Sequence, residues 1–250
     1  MMAINEDVIA WLVPATHCAA ADKVMNNPAN QSRIVATSDL PTLLPQISDS
    51  MTGITPSRAI QLCFNKAPKN HGRFMIGTDP KTCDIVFPKL YDASPSTPEV
   101  SSQHCSIGFD NDNRLTLDDI SEWGTEVSYD WESSGRNTEF CWLLSGGNSG
   151  GFPSSVRNIT IDILGARFQV FINPHTHTLQ QWQSFVTKID LMTELAYQDP
   201  AAFTMPSIFM IAPSEGDALE AYLWNSDCPW QPLVRVVDVL NSEPYISLHD

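Results

Sequence analysis

Basic residues are scarce in this sequence, where 14 lysines and arginines stand against 29 aspartates and glutamates and give a formal charge of −15. Nucleic acids and anionic membranes are bound through basic faces, so this balance argues against both as partners. Near the start, the apolar run Val8–Val13 is too short to span a bilayer, and no basic segment precedes it. We therefore expect an intracellular protein, cytoplasmic or nuclear, whose partner is another protein.

Metal-binding patterns are missing as well. The six cysteines form no C-x-x-C pair, and none has the spacing to histidine that a tetrahedral zinc site needs. His175 and His177 would share one face of a strand, but no carboxylate or cysteine stands nearby in sequence to complete a site. We predict no metal and no cofactor, with the cysteines serving as small buried apolar residues.

The sequence does contain a series of short alternating segments between His71 and Tyr129. Turn-forming residues separate them, as in Thr78-Asp79-Pro80 and in residues 94–98 and 110–113. Spacing two places alternate side chains on one face of a strand, so the pattern predicts the core of an all-β sandwich. The predicted core residues are Phe74, Ile76, Ile85, Phe87, Ile107, Phe109, Leu115, Leu117 and Val127.

The segments before this region predict strands at Val8–Val13 and Ala59–Phe64, with a short helix at His17–Met25 between them. Asn26–Ser57 is rich in Asn, Pro, Ser and Thr, and predicts a long, mobile surface insertion with little core of its own.

The segments after Tyr129 predict a Gly/Ser-containing turn, further strands and an amphipathic helix that packs on the sandwich. From Pro200 the apolar pattern weakens and prolines interrupt it. We divide the chain into a sandwich over 7–178, with the insertion at about 18–57, and a helix plus irregular extension over 179–250. The predicted elements are the turn Trp131–Asn137, the strand Phe140–Leu144, the hairpin Asn158–Leu164 with Arg167–Ile172, and the helix Leu179–Tyr197.

Four short motifs follow one another within the central region, and in this order they resemble the signature of the forkhead-associated (FHA) domain. They are Ile76-Gly77, Cys83-Asp84-Ile85, Ser101-Ser102-Gln103-His104, and Asp119-Ile120-Ser121 with Gly124-Thr125 behind it. Residues 77–90, 101–110 and 124–130 also resemble the FHA region that precedes a serine/threonine kinase domain in filamentous-fungal proteins. The resemblance implies an eleven-stranded antiparallel sandwich of Greek-key type, whose loops at one end bind phosphothreonine peptides.

The same resemblance implies where a phosphate would bind. The family has an arginine after the Ile-Gly pair, a serine in the Ser-x-x-His loop, and a Thr-Asn or similar pair before Gly-Thr, since a dianion needs charge-assisted donors. This sequence keeps only the serine, so the predicted site is degraded. The corresponding positions are Thr78, Ser101 with its neighbour Ser102, Glu122 and Trp123, and the structural motif residues are Gly77, His104, Gly124 and Thr125.

Two basic residues close in sequence, Arg73 and Lys81, are the candidates to compensate for the missing arginine. His104 is expected to be structural, because the family's histidine holds the phosphate-binding loop through hydrogen bonds and a lone histidine in a sandwich is usually a satisfied group.

Two enzyme classes were weighed. Residues 234–239 and 243–245 resemble strands of a kinase amino-terminal lobe, but the sequence has no glycine-rich loop, no pairing lysine and no catalytic loop. Ala15-Thr16-His17-Cys18 and residues 147–151 resemble motifs of trypsin-like proteases and would make Ser149 the nucleophile and His17 the base. Only sixteen residues precede His17, too few for the strands of that fold, and a Gly/Ser loop explains the second motif.

The sequence thus predicts a non-catalytic interaction or regulatory module, with phosphothreonine recognition through a degraded site. The alternative is a phosphate-independent scaffold or a kinase-derived pseudo-regulatory fragment, and a trypsin-like serine protease is a distant third.

Overall fold

A computed structural model of the chain describes residues 6–37, 56–69, 72–89, 97–146, 152–153, 155–173, 179–197 and 209–210. These residues form two β-sheets packed as a sandwich, with two α-helices. The strands are β1 Val8–Pro14, β2 Ile34–Ala36, β3 Arg58–Cys63, β4 Phe74–Gly77, β5 Ile85–Val86, β6 Cys105–Phe109, β7 Leu115–Asp119, β8 Thr125–Tyr129, β9 Glu132–Asn137, β10 Cys141–Leu143, β11 Ile159–Ile163, β12 Ala166–Ile172 and β13 Phe209–Met210. The helices are α1 Ala19–Met25 and α2 Leu179–Tyr197.

The first sheet has the strand order β2-β3-β1-β12-β11-β8-β9, and the second has the order β13-β10-β7-β6-β4-β5. Neighbouring strands are antiparallel except for the pairs β4–β5 and β10–β13. The all-β sandwich with a helix after it is confirmed. The described residues form thirteen strands, two more than the resemblance implies, and several of them are only two or three residues long.

One hydrophobic cluster fills the space between the sheets. All nine residues that the alternation assigns to the core are buried in it, and Phe74, Ile107 and Leu117 are fully enclosed. The alternation succeeds here because one face of each strand meets the other sheet, which makes period two visible in the sequence.

The β11–β12 hairpin and the helix α2 are also confirmed. Leu164 and Gly165 form the two-residue turn with φ of 49° and 89°, the combination that suits the twist of a hairpin. Helix α2 packs on the sandwich through Phe185, whose ring lies 5.6 Å from the rings of Phe64 and Phe109 in edge-to-face contact. Ile189 and Met192 extend this buried face.

The prediction of a turn over Trp131–Asn137 is wrong. Most of that segment is β9, which pairs with β8 at the edge of the first sheet, and the turn itself consists of Asp130 and Trp131 at φ of 49° and 76°. An edge strand with polar residues on both faces carries no alternation, so its sequence looks like a loop.

The short helix predicted at His17–Met25 is present as α1, whereas the expectation of little core is wrong for the first part of the Asn26–Ser57 insertion. Helix α1 buries Ala21, Val24 and Met25, and a 3₁₀ turn at Pro28–Arg33 leads into β2, which extends the first sheet. Asn30 is 1% exposed: its side-chain amide donates to the Val86 carbonyl at 2.9 Å and accepts from the Val86 N–H at 2.7 Å. The Asn30 side chain bonds the backbone of Val86 as a neighbouring strand would. Such polar contacts leave no hydrophobic periodicity in the sequence.

The remaining part of the insertion, residues 38–55, lies outside the described residues. So do residues 198–208 and 211–250, including the kinase-like segments, while β13 adds to the edge of the second sheet beside β10. The domain boundaries therefore stay predictions. Within the described ranges, no helix has the length and apolar character needed to cross a membrane.

Candidate functional site

A cleft of about 770 Å³ opens at the end of the sandwich where β4 ends and β6 begins. Five of the predicted site residues line it: Thr78, Ser101, Ser102, Glu122 and Trp123. These residues come from three separate loops, and the fold brings them together as the order of the motifs implied.

The Ser101–Ser102 backbone lies directly against the end of β4. The N–H groups of Thr78 and Asp79 donate to the Ser101 and Ser102 carbonyls at 3.0 and 3.1 Å. A Cβ atom on Gly77 would lie 2.3 Å from the Ser102 carbonyl oxygen, so glycine is required for this close approach. The approach leaves the Ser101 hydroxyl at the cleft, where it accepts a long 3.5 Å bond from the Glu122 N–H.

His104 is hydrogen-bonded to the backbone of the loop that contains Ser101 and Ser102. Its Nδ1 accepts the Ser101 N–H at 3.2 Å, and the side chain is fully buried. Burial lowers the pKa of the imidazole to about 4, the Gly124 backbone opposes this shift, and the charge of Arg136 adds to it. His104 is therefore neutral near pH 7, and because Nδ1 accepts, Nε2 carries the proton.

Asp119 organises the loop that carries Glu122 and Trp123. Its carboxylate accepts from the Ser121 N–H at 3.0 Å, the Ser121 hydroxyl at 2.9 Å and the Thr125 hydroxyl at 2.6 Å. The Ser121 oxygen in turn accepts the Gly124 N–H at 2.8 Å, and Gly124 has φ of +76°. Burial raises the pKa of the Asp119 carboxyl, whereas these donors lower it. The loop is thus positioned by buried hydrogen bonds.

Arg73, a candidate to compensate for the missing arginine, is not among the residues that line the cleft. Its Nε donates to the Ser106 hydroxyl at 2.9 Å, its guanidinium forms an ion pair with Asp118, and the residue is 5% exposed. Its side chain lies over Gly108, where an added Cβ would come within 2.6 Å of the arginine Cγ. A glycine inside a strand signals such close approach, and this signal was available in the sequence.

Lys81 is exposed and is not among the residues that line the cleft. Its backbone N–H donates to the Asp79 carboxylate at 3.0 Å within the turn after β4. Hydrogen bonds from this N–H and from the Thr82 hydroxyl lower the pKa of Asp79. Neither of the two candidate cations therefore lines the cleft.

Two lysines that the sequence analysis did not select do line the cleft: Lys23, on α1, and Lys89, just after β5. No motif marks them, because α1 belongs to the segment interpreted as an insertion. Glu99 and Glu122 are the acidic residues of the lining.

The other candidate residues are only partly described. His17 is exposed in the turn between β1 and α1 at φ of 58°, and Ser149 lies outside the described residues, so the protease pair stays untested. His175 and His177 lie outside them too. Among the residues that the structure describes, no group of three or more His, Cys, Asp or Glu side chains could hold a metal ion.

Comparison with known proteins gives a family match in the middle of the chain. Residues 74–129 match the model of the FHA domain, which covers β4 through β8 and includes strands of both sheets. No curated protein matches the chain.

Several solved structures are similar. The FHA domain of CT664 from Chlamydia trachomatis is 23% identical over 45% of this chain and 82% of that one, with a TM-score of 0.27. The N-terminal FHA domain of S. cerevisiae Rad53p, in complex with a phosphothreonine peptide, is 21% identical over 56% and 92%, with a TM-score of 0.27. An engineered FHA domain with a Myc-pTBD peptide is 20% identical over 71% and 98%, with a TM-score of 0.29.

The family match falls on the strands whose connecting loops carry the Ser101 and Glu122 sides of the cleft. On these grounds residues 74–129, about a fifth of the chain, are similar to the forkhead-associated domain.

Proposed function

We propose that this protein is a non-catalytic interaction module that binds an extended segment of a partner protein in the cleft beside Ser101, with strongly reduced affinity for phosphothreonine. The observation that carries this proposal is the convergence of Thr78, Ser101 and Trp123 on one cleft while Arg73 is held elsewhere by Asp118. The loops that form the cleft are in place, but the side chains at three of the family's phosphate-binding positions are Thr78, Glu122 and Trp123.

The loss of affinity follows from charge. A phosphate dianion is held by charge-assisted hydrogen bonds, and a neutral hydroxyl at Thr78 forgoes one such bond, worth about 1.5–3 kcal/mol. The Thr78 hydroxyl already faces the Ser101 carbonyl at 3.5 Å. Glu122 brings a negative charge to the same cleft and opposes a bound phosphate.

Titration with paired phosphothreonine and unmodified threonine peptide libraries tests the proposal. We expect weak or absent binding of phosphothreonine peptides by the wild type, and loss of whatever binding occurs in Trp123→Ala, which removes the large aromatic side chain from the lining. The triple variant Thr78→Arg, Glu122→Thr and Trp123→Asn should gain phosphate-dependent affinity, because it restores the donors. Low-micromolar binding by the wild type that disappears on dephosphorylation would contradict the reduced affinity.

A phosphate-independent scaffold is the second candidate function. The apolar part of the lining, including Phe87, Val100 and Ile163, favours it because such a surface takes hydrophobic side chains without any phosphate. Co-purification from lysates with and without phosphatase treatment separates the two functions: a partner retained after treatment supports the scaffold.

A further inference from the structure

We propose that the cleft recognises a partner segment that carries an anionic side chain, phosphate or carboxylate, next to an apolar residue, and that Lys23 and Lys89 bind this anion. The inference rests on the proposed function and names the chemistry of its ligand. In this inference the positive charge of the site comes from α1 and the segment after β5, and not from the loop after β4.

Lys23 is fixed at the cleft by the packing of α1. The neighbouring residue Val24 is fully buried in the core and also borders the cleft, so the helix cannot turn Lys23 away without exposing that side chain. The start of α1 is tied to the β11–β12 hairpin, since the Cys18 thiol donates to the Gly165 carbonyl at 3.2 Å. Lys23 itself is exposed.

Lys89 is placed by the same segment of chain. Three residues before it, Val86 is held by both the carbonyl and the amide of Asn30, and its carbonyl also accepts from the Asn27 side chain at 3.0 Å. The segment that contains Lys23 is therefore also hydrogen-bonded to β5, the strand that precedes Lys89. The two lysines therefore stem from one connected part of the fold.

Both lysines are available for a ligand. In the described ranges neither forms an ion pair, whereas Arg33 pairs with Asp84 at 2.8 Å and Lys188 with Asp7 at 2.7 Å. An anion can thus bind without first breaking an existing pair. The lining carries these two lysines and two glutamates, Glu99 and Glu122, so an acidic group is favoured next to the lysines rather than over the whole cleft.

The rest of the lining determines what accompanies the anion. Ile163, Leu164 and Ala166 of the hairpin provide an apolar surface on the same cleft. Glu99 and Glu122 oppose a second anion on the side of the Ser101 loop. The preferred segment therefore combines one anionic side chain with a hydrophobic neighbour, and it is not a run of acidic residues.

The test uses one peptide library in three versions, with phosphothreonine, glutamate or glutamine fixed beside a leucine, and the full-length protein. We expect the wild type to bind phosphothreonine or glutamate members at least tenfold more tightly than glutamine members, at affinities weaker than low micromolar. Lys23→Gln/Lys89→Gln should abolish this preference. The matched control Lys81→Gln removes an exposed lysine outside the cleft and should leave every affinity within twofold.

The two anionic versions identify the source of the charge, since preference for either one over glutamine supports the inference. Equal binding of all three versions, or an anion preference that survives in the double variant, overturns it while leaving the proposed function standing if Trp123→Ala still abolishes binding. Absence of binding by the wild type to all three versions overturns both. Because both lysines are exposed, thermal unfolding of the double variant should match that of the wild type.

Discussion

The two walls of the cleft are constructed differently. The wall that carries Ser101 and Trp123 is held by hydrogen bonds to buried polar side chains. His104 accepts from the loop of Ser101, and Asp119 accepts from the loop of Trp123. The wall formed by α1 and the β11–β12 hairpin is held mainly by apolar packing of residues such as Val24, with a few side-chain bonds at its ends. The polar wall lies within the FHA-like residues 74–129, and the apolar wall contributes Lys23.

Because of this difference, the arrangement of the loops and the charge of the cleft depend on different residues. Buried hydrogen-bond networks specify one loop arrangement because any unsatisfied member is costly, so they persist while exposed residues beside them change. A packed helix tolerates any exposed residue on its outer face. On the proposal above, the loops keep their arrangement while the cations of the site come from α1 and the segment after β5.

The largest effect is expected at Asp119, the acceptor on which the polar wall depends. Asp119→Ala leaves the Ser121 N–H and the Thr125 hydroxyl without their acceptor, and we expect a loss of about 4 kcal/mol in the free energy of unfolding. Urea denaturation measures it. The control Asp112→Ala removes a largely exposed carboxylate, and that change should cost less than about 1 kcal/mol. Similar losses in the two variants would show that the loop does not depend on Asp119.

The second effect concerns pH and His104. The folded-state pKa of about 4 lies below the ordinary value of 6.5, so the unfolded chain takes up a proton first and stability falls as the pH drops from 6.5 to 4. The total loss from this group is about 3 kcal/mol, and above pH 6.5 its contribution is constant. Burial raises the pKa values of Asp84, Asp118 and Asp119, and these groups act in the opposite direction.

Comparison with His104→Asn isolates the histidine, because the three carboxyls are common to both proteins. Chemical denaturation at several pH values should show a shallower loss between pH 6.5 and 4 in the variant. Parallel curves for the two proteins would mean that the imidazole takes up its proton at the same pH in the folded and unfolded chains, which contradicts the lowered pKa.

Sequence reasoning succeeded where a physical constraint leaves a local pattern. The sandwich core and α2 followed from alternation and helical spacing, and the loops followed from short motifs built on residues such as Gly77, whose close backbone approach admits no side chain. It failed at β9 and at residues 28–36 after α1, where polar edge residues and side-chain hydrogen bonds such as those of Asn30 replace hydrophobic periodicity. It left the position of Arg73 open, because proximity in sequence does not say on which face of a strand a side chain lies.

A smaller effect is expected at Asn30, which joins the apolar wall to the second sheet. Asn30→Ala leaves the Val86 N–H and carbonyl without their strongest side-chain partner, and we expect a loss of about 2 kcal/mol in the free energy of unfolding. The exposed Asn26, whose side chain accepts from Arg58 at 2.9 Å, gives the matched control Asn26→Ala with a loss below about 0.5 kcal/mol. Equal losses would place Asn30 outside the structural core of this wall.

The smallest effect tests whether the apolar wall is held by packing or by its polar ends. Cys18 donates to the Gly165 carbonyl at 3.2 Å and accepts from the Arg167 N–H at 3.4 Å, both weak bonds because sulfur is a poor partner. Cys18→Ala should therefore lower the free energy of unfolding by less than about 1 kcal/mol. Cys18→Ser keeps a donor and an acceptor, so its free energy of unfolding should lie between those of Cys18→Ala and the wild type. Urea denaturation of the three proteins measures this order. A loss above about 2 kcal/mol in Cys18→Ala would mean that α1, and Lys23 with it, is held by these two bonds rather than by the burial of Val24.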